Sequence, residues 1–306
     1  MSMTASWLLS SESKWAGKII AVSLVSLLIL SFFSSLSFYG DKSVIIFDID
    51  SSFSDDKGRN SDSVQLVDGW SRTGSGGATG QQSDSAFAVA VDDMDNIYAT
   101  GLFTGEETFG THTILSSGGS DIFLGKISSE GDWLWVLSAG SSGDDLATSI
   151  TVDTSGNPVI TGYIGGTGDF GGNVAESLGG TEIMVAKAEK SGTWEWVTTA
   201  GGVLGDVAND VTVGDDGSIY ITGQVESDVT FGSISSTGYD VDAFVAALSS
   251  SGNWNWAKRF VGNDVDSGYS IIFVGGEVIS GGDHWGNLEI DGVQLLGGGG
   301  YLSSMD

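Results

Sequence analysis

The sequence predicts an all-β protein, a β-propeller of four-stranded antiparallel blades with about four repeats of ~60 residues. Two observations predict it: short strand patterns joined by tight turns, and four markers that recur at one period. The markers are an acid that begins each unit, a Phe-Gly pair, a Trp-x-Trp pair and a glycine that ends the second strand. They lie at Asp84, Asp145, Asp206 and Asp266; Phe109-Gly110, Phe170-Gly171 and Phe231-Gly232; Trp133/Trp135, Trp194/Trp196 and Trp254/Trp256; and Gly101, Gly162, Gly223 and Gly281. The glycines are spaced by 61, 61 and 58 residues.

Each unit is expected to hold about four strands. In the first unit, strands are predicted at 87–92, 97–103, 122–127 and 133–137, with a longer polar loop between the second and the third. The turns at 93–96, 153–157 and 215–218 are rich in Asp, Asn, Ser and Gly, which suit hairpins. The units span 84–144, 145–205, 206–265 and 266–306, and no helical periodicity appears after residue 40. A solenoid is the alternative, although its units are usually shorter.

The segment GGVLGDVANDVTVGDDGSIYITG resembles the SBBP β-propeller repeat, whose pattern is roughly GG-x-x-x-D-x-A-x-x-(V/I)-x-V-D-x-x-G-N-x-Y-(V/I)-T-G. The stretches 84–101 and 145–162 match again, whereas the copy at 266–281 has lost the turn Asp and the Tyr. The resemblance covers about residues 84–306. It implies a propeller in an exported or surface protein, and it implies little about activity. The matching residues are Gly201, Gly202, Asp206, Ala208, Val211, Val213, Gly217, Tyr220, Thr222 and Gly223.

The chain is strongly acidic, with 40 Asp and Glu against 11 Lys and Arg and a formal net charge of −29. This charge argues against nucleic-acid binding, because contact with phosphates needs a basic surface. It favours solubility in a salty medium, with weak divalent-cation binding as the alternative. The absence of cysteine excludes disulfides, thiolate catalysis and cysteine-ligated metals.

The N-terminal part of the sequence predicts a membrane segment. Residues 1–18 form a polar cytoplasmic region with Lys14 and Lys18, and residues 19–39 form a charge-free run of 21 residues. A helix of that length spans about 31 Å, enough to cross a bilayer. The lysines on its N-terminal side predict a cytoplasmic N-terminus and an extracellular remainder. The segment is expected to stay as a signal anchor, with cleavage as a signal peptide and secretion as the alternative.

Residues 40–62 are predicted to be a Ser/Asp-rich linker, and residues 63–306 the propeller. The stretch 63–72, around Trp70, is expected to be a clasp strand. The last unit lacks a Trp-x-Trp strand, which this strand could replace. Closed in this way the ring would have four blades; the alternative is that the sequence is a fragment of a larger ring.

Three groups of residues are candidate sites. The Trp-x-Trp rings, which alternation would place on one strand face, are expected to pack between units, with a sugar-binding platform as the alternative. The turn acids are expected to cap turns rather than to bind calcium, because none matches the loop D-x-[DN]-x-[DN]-G-x₅-E. They are Asp92, Asp93, Asp95, Asp153, Asp215 and Asp216. The unit-start acids are expected to accept hydrogen bonds from backbone N–H groups between units.

No catalytic, cofactor-binding or metal-binding residue is predicted. The G-x-G-x-x-G match at 166–171 is discarded because no helix follows it. The histidines, His112 and His284, occupy non-equivalent positions, and His284 lies in a polar–aromatic cluster with Asp283 and Trp285. The predicted function is therefore a non-enzymatic extracellular module that binds a protein or glycan. A glycan hydrolase or lyase and a calcium-dependent adhesion module are the alternatives.

Overall fold

The computed structural model describes residues 74–76 and 84–305. The predicted membrane segment at 19–39, the linker at 40–62 and the clasp strand at 63–72 all lie outside these residues. The described part of the chain consists of 23 strands and contains no helix, which confirms the all-β prediction.

The strands are short and follow one another closely. In chain order they are β1 (Gly74–Gly76), β2 (Ser85–Val91), β3 (Ile97–Phe109), β4 (His112–Ile127), β5 (Trp133–Ala139), β6 (Leu146–Val152), β7 (Pro158–Ile164), β8 (Gly168–Phe170), β9 (Asn173–Ala175), β10 (Glu182–Glu189), β11 (Thr193–Gly201) and β12 (Val207–Val213). They continue with β13 (Ile219–Glu226), β14 (Val229–Phe231), β15 (Ile234–Ser236), β16 (Val241–Leu248), β17 (Trp254–Arg259), β18 (Val261–Gly262), β19 (Asp266–Val274), β20 (Glu277–His284), β21 (Leu288–Ile290), β22 (Val293–Leu295) and β23 (Gly299–Met305).

Four antiparallel groups of strands account for most of the described chain. They are β2–β3–β4–β5, β6–β7–β10–β11, β12–β13–β16–β17 and the three-stranded β19–β20–β23. We refer to them as units 1 to 4 and to the contact between successive units as a seam. The sheets are open, and among the described residues they do not close into a ring.

The segment between the second and third strands is a hairpin, so the expectation of a polar loop there was wrong. In unit 1 the hairpin is the distal part of β3 and β4, and in the later units it is β8–β9, β14–β15 and β21–β22. Each hairpin pairs with the chain just before its own unit: β3 with β1, Asp169 with Gly140, β14 with β11, and β21 with β18. The polar composition concealed these strands, which pair through their backbones and bury few apolar side chains, among them Phe109, Phe170, Phe231 and, in unit 4, Leu288.

The core lies at the seams. Tyr98 and Leu124 of unit 1 pack with Ile160 and Met184 of unit 2 in one buried cluster. A second cluster joins units 2 and 3, and a third joins units 3 and 4. The sheets of units 2 and 3 therefore bury apolar side chains on two faces, one against each neighbour. Unit 1 buries a further cluster, which includes Phe103, Phe123 and Trp133, on the face away from unit 2.

The face of unit 4 that points away from unit 3 is exposed. Leu302 pairs with Gly281 on β20 and is 79% exposed. Its counterparts in the other units, Leu124, Val185 and Val245, are 0% exposed because the next unit covers them.

Every first strand carries a bulge, and at the second and third seams the bulge residue makes a hydrogen bond to the next unit. Register shifts in β2, β6, β12 and β19 leave one extra residue, such as Thr148 in β6 and Asn209 in β12. The Thr148 hydroxyl donates to the Ala208 carbonyl oxygen at 2.7 Å, and the Asn209 amide donates to the Gly268 carbonyl oxygen at 2.8 Å. The bulges of units 2 and 3 thus each join their unit to the bulge region of the next one.

The glycine that ends each second strand is required because the first strand passes very close. A Cβ on Gly101, Gly162 or Gly223 would collide with the carbonyl oxygen of Ser85, Leu146 or Val207 respectively. In unit 4 the same collision would occur at Gly282, with Ser267, so the expectation that Gly281 is the fourth marker was wrong. The reason is the two-residue turn Gly275-Gly276, which is shorter than the turns of the other units and shifts the register.

Candidate functional site

The unit-start aspartates bind backbone N–H groups at the seams, as expected. Asp145 accepts hydrogen bonds from the Ser141 and Gly165 amides at 2.5 and 2.8 Å. Asp206 accepts from the Gly202 and Glu226 amides, both at 2.8 Å. Asp266 accepts from the Trp285 amide at 3.1 Å, and Asp84 from the Thr104 amide at 3.0 Å. These carboxylates join the start of a unit to the end of its second strand.

A second carboxylate, which the sequence reading missed, lies beside the unit-start acid at each seam. Asp121 lies within β4, and Glu182 and Asp242 lie at the start of β10 and β16; the three residues are 1%, 1% and 2% exposed. At the first seam, a Cβ on Gly140 would stand 2.6 Å from Asp121 Oδ2 and 2.8 Å from Asp145 Oδ2. The spacing of 61 and 60 residues between these acids was the signal available in the sequence.

Two of the turn acids are held in buried ion pairs. Asp92 accepts from the Met94 and Asn96 amides at 3.0 and 2.9 Å and lies 3.1 Å from Lys126 Nζ. Burial raises its pKa, but these hydrogen bonds outweigh burial and hold the pKa of Asp92 below its usual value.

Asp153 repeats this arrangement in unit 2. It accepts from the Ser155 and Asn157 amides, both at 2.8 Å, and lies 3.0 Å from Lys187 Nζ. In unit 3 the equivalent positions carry Gly214 and Ala247, so the acid and the lysine are both missing.

The remaining turn acids are on the surface. Asp216 accepts from the Ser218 amide at 2.9 Å, while Asp93, Asp95 and Asp215 are exposed. Turn capping by Asp92, Asp153 and Asp216 is thereby confirmed. The described residues contain no group of three or more His, Cys, Asp or Glu side chains that could hold a metal ion.

The tryptophans of the pairs pack at the seams, as expected, except Trp133, which packs in a cluster within unit 1. The two rings of each pair lie on opposite faces of the sheet. Trp194 belongs to the cluster between units 1 and 2, whereas Trp196 packs against the cluster between units 2 and 3. The expectation of one face was wrong because Glu195, opposite Lys187/Ala188, is an extra bulge residue that breaks the alternation of the tryptophan strand β11 itself. Equivalent bulges lie at Lys126/Ile127 and Ala247/Leu248.

The first tryptophan of each pair contacts the Phe-Gly hairpin edge-on. The ring centroids of Phe109–Trp133, Phe170–Trp194 and Phe231–Trp254 are 5.0, 5.1 and 5.1 Å apart, with interplanar angles of 69°, 73° and 77°. Such contacts stabilise a core and leave no exposed ring face for a ligand. The Leu134, Glu195 and Asn255 side chains between the tryptophans are exposed.

One tryptophan does expose its ring. Trp285 is 65% exposed and borders a cleft of about 460 Å³ that Asp264, Asp283, Gly298 and Gly299 also line. Its backbone is fixed, because its amide lies 3.1 Å from Asp266 Oδ1 and 3.1 Å from the Val265 carbonyl oxygen.

His284 forms the buried side of the same cleft. It is 5% exposed, and its Nδ1 donates to the Gly286 carbonyl oxygen at 3.1 Å. A flat aromatic ring beside two carboxylates and accessible main chain can stack on a sugar ring and hydrogen-bond its hydroxyls. The cluster Asp283-His284-Trp285 therefore defines the candidate site.

The other sequence candidates lie elsewhere. Residues 166–171 belong to a turn and to β8, and no helix follows them. His112 begins β4 and pairs with Phe109, on a different unit from His284. Within the described ranges no helix is long and apolar enough to cross a membrane.

No known family model matches the chain. The chain is similar to the regulatory protein FlaEY of Caulobacter vibrioides, with 28% identity over 174 residues. That match covers 54% of this chain and 18% of the FlaEY length. A solved structure of a protein of unknown function from Bacteroides caccae aligns with a TM-score of 0.36 and 11% identity, over 69% of this chain and 56% of that one.

Proposed function

We propose that the protein is a non-enzymatic extracellular binding module of the SBBP β-propeller type, anchored in the membrane by residues 19–39. The succession of antiparallel sheets packed face to face supports the propeller part of the proposal. The exposed face of unit 4 also supports it, because Leu302 occupies a position that the next unit buries elsewhere. The lysines before residues 19–39 support the membrane topology.

The ligand that the geometry favours is a glycan. Trp285 carries this proposal, because its ring is 65% exposed on a backbone fixed by Asp266, beside the carboxylates of Asp264 and Asp283. The other tryptophans of the described units pack at the seams or, for Trp133, in a cluster within unit 1. Carboxylates can accept hydrogen bonds from sugar hydroxyls. A strongly acidic protein can therefore bind a neutral sugar, which does not require a basic surface.

The test is the binding of soluble glycans to the full chain in mild detergent. We expect Trp285→Ala to abolish the binding that the wild type shows on a glycan array, with no change in the thermal unfolding midpoint. The control is Tyr239→Ala, since Tyr239 is 99% exposed and lies outside this cleft. Equal binding by the wild type and by Trp285→Ala, or no binding by the wild type, would contradict the proposal.

A further inference from the structure

The polar side chains that line the cleft beside Trp285 are mainly hydrogen-bond acceptors. The carboxylates of Asp264 and Asp283 line it, and no lysine, arginine, hydroxyl or amide side chain of the described residues does. One oxygen of the exposed Asp264 accepts from the Val265 amide at 3.0 Å, and its other oxygen has no donor within the described part of the chain. The Tyr269 hydroxyl hydrogen-bonds to Asp283 and holds that carboxylate in place.

His284 adds a buried acceptor to the same cleft. Its side chain is 5% exposed, and its Nδ1 lies 3.1 Å from the Gly286 carbonyl oxygen. Because a carbonyl oxygen only accepts, Nδ1 carries the proton and Nε2 of the neutral ring presents a lone pair. Nε2 has no hydrogen-bond partner among the described residues, and it lies 3.6 Å from the place that a Cβ on Gly299 would take. Since Gly299 lines the cleft, Nε2 is directed towards a bound molecule.

The basic side chains of the preceding strand β17 are engaged elsewhere. Lys258 pairs with Asp291, and Arg259 Nε lies 2.5 Å from Asp242 Oδ2. Neither of the two basic residues lines the cleft. The formal net charge of −29 adds a negative potential to the whole surface. A cationic group in the cleft therefore meets carboxylates that are not neutralised by a lysine or an arginine.

We propose that the glycan bound at this cleft is an amino sugar with free, protonated amino groups. This inference rests on the proposed glycan-binding function and names the class of glycan. The sugar ring stacks on Trp285, while its ammonium group donates to Asp283 and to the lone pair of His284 Nε2. A cation over or beside an indole ring gains a further attraction to the face of that ring.

The small size of the cleft favours an amine that is attached directly to a sugar ring. Trp285 and Asp283 are two residues apart at the end of β20, and the cleft measures about 460 Å³. An amine on a sugar ring lies at the rim of the face that stacks, so the ring and the charge fit into one short cleft. The ammonium group of a lysine side chain stands at the end of a flexible stem, whose ordering costs conformational entropy.

The test compares two oligosaccharides by calorimetric titration of the full chain in mild detergent. One is an oligosaccharide of glucosamine, and the other is its N-acetylated counterpart of the same length and linkage. The pH lies between the pKa values of the carboxyl and the amino groups, so that both are charged. We expect the N-acetylated oligosaccharide to bind at least about tenfold more weakly, because acetylation removes the charge of the donor and keeps the sugar ring.

Two matched variants locate the group that recognises the amine. Asp283→Asn keeps an oxygen that can accept from Tyr269 and removes the negative charge. We expect it to reduce the preference for the glucosamine oligosaccharide to below about threefold. Asp93→Asn removes the same charge from an exposed turn of unit 1 and should keep the full preference. If Asp283→Asn does not fold, Asp264→Asn removes the other carboxylate and keeps an oxygen for the Val265 amide.

The outcomes separate this inference from the proposed function. Equal binding of the two oligosaccharides, or binding of neither while other glycans bind through Trp285, would overturn the amino-sugar assignment and leave glycan binding in place. Binding of no glycan at all would overturn both. An oligolysine of the same charge that binds as tightly as the glucosamine oligosaccharide would overturn the assignment, because net charge would then account for the binding. So would an equal preference in Asp283→Asn and Asp93→Asn.

Discussion

At the scale of the residue, one extra residue in a β-bulge determines in which of two buried clusters a tryptophan packs. Trp194 and Trp196 are two positions apart and would share a face in a regular strand. The bulge at Glu195, opposite Lys187/Ala188, turns them to opposite faces, so one ring packs in each of two seams. The pair thus connects three units through one strand, which explains why both residues are large and aromatic.

Trp194→Ala should destabilise the protein by about 3–5 kcal/mol, because it removes a large ring from a close-packed core. Trp194 is 7% exposed, contacts Phe170 edge-on, and donates from Nε1 to the Ser138 carbonyl oxygen at 3.2 Å. The measurement is denaturant unfolding of the full chain. Trp285→Ala is the control, with an expected loss below about 1 kcal/mol, since exposed substitutions cost little. Equal losses of unfolding free energy in Trp194→Ala and Trp285→Ala would contradict the prediction that Trp194 stabilises the core between units 1 and 2.

At the scale of the element, most strand pairing within a unit was readable from the sequence. Of the contacts between units, only the tryptophan packing and the hydrogen bonds of the unit-start aspartates were. The hairpins β2–β3, β6–β7 and β12–β13 follow from local alternation and turn residues. The Phe-Gly hairpins were read as loops because their pairing partners precede the unit. The carboxylate pairs were missed because Asp121 and Glu182 differ in type and meet their partners only across a glycine. Local rules do not encode such contacts.

We expect the hydrogen bonds of the first-strand bulges to stabilise the contact between successive units. We expect Thr148→Val to destabilise the protein by about 1–3 kcal/mol, because it leaves the buried Ala208 carbonyl oxygen without its donor. Thermal or urea unfolding measures the loss. Thr154→Val, on an exposed turn, is the control and should change stability by less than about 0.5 kcal/mol. A Thr148→Val protein as stable as this control would contradict the role of the bulge.

At the scale of the whole molecule, net charge and packing act in opposite directions. The chain carries a formal charge of −29, which opposes compaction, while the apolar clusters at the seams favour it. The all-β class and the period were predictable, since they depend on composition and spacing. Whether the sheets close into a ring was not predictable, since this depends on what contacts the exposed face of unit 4, on which Leu302 lies.

The proposed membrane topology can be tested on whole cells of the organism that makes the protein. Protease added outside should digest the units between 84 and 305, because Lys14 and Lys18 predict that only the N-terminus is cytoplasmic. Immunoblotting with an antibody against the units follows their loss. A cytoplasmic marker protein should survive the same treatment. Full protection of the units until the cells are lysed would reverse the proposed orientation.

Each hairpin pairs with the chain that precedes its own unit, and this affects the order in which the chain can assemble during synthesis. The strand β14 of unit 3 attaches to β11 of unit 2, and β21 of unit 4 attaches to β18 at the end of unit 3. Units 3 and 4 therefore find the partner of their hairpins in chain that has already left the ribosome. Assembly can advance one sheet at a time, in the direction of translation, with each seam closing soon after its second unit emerges.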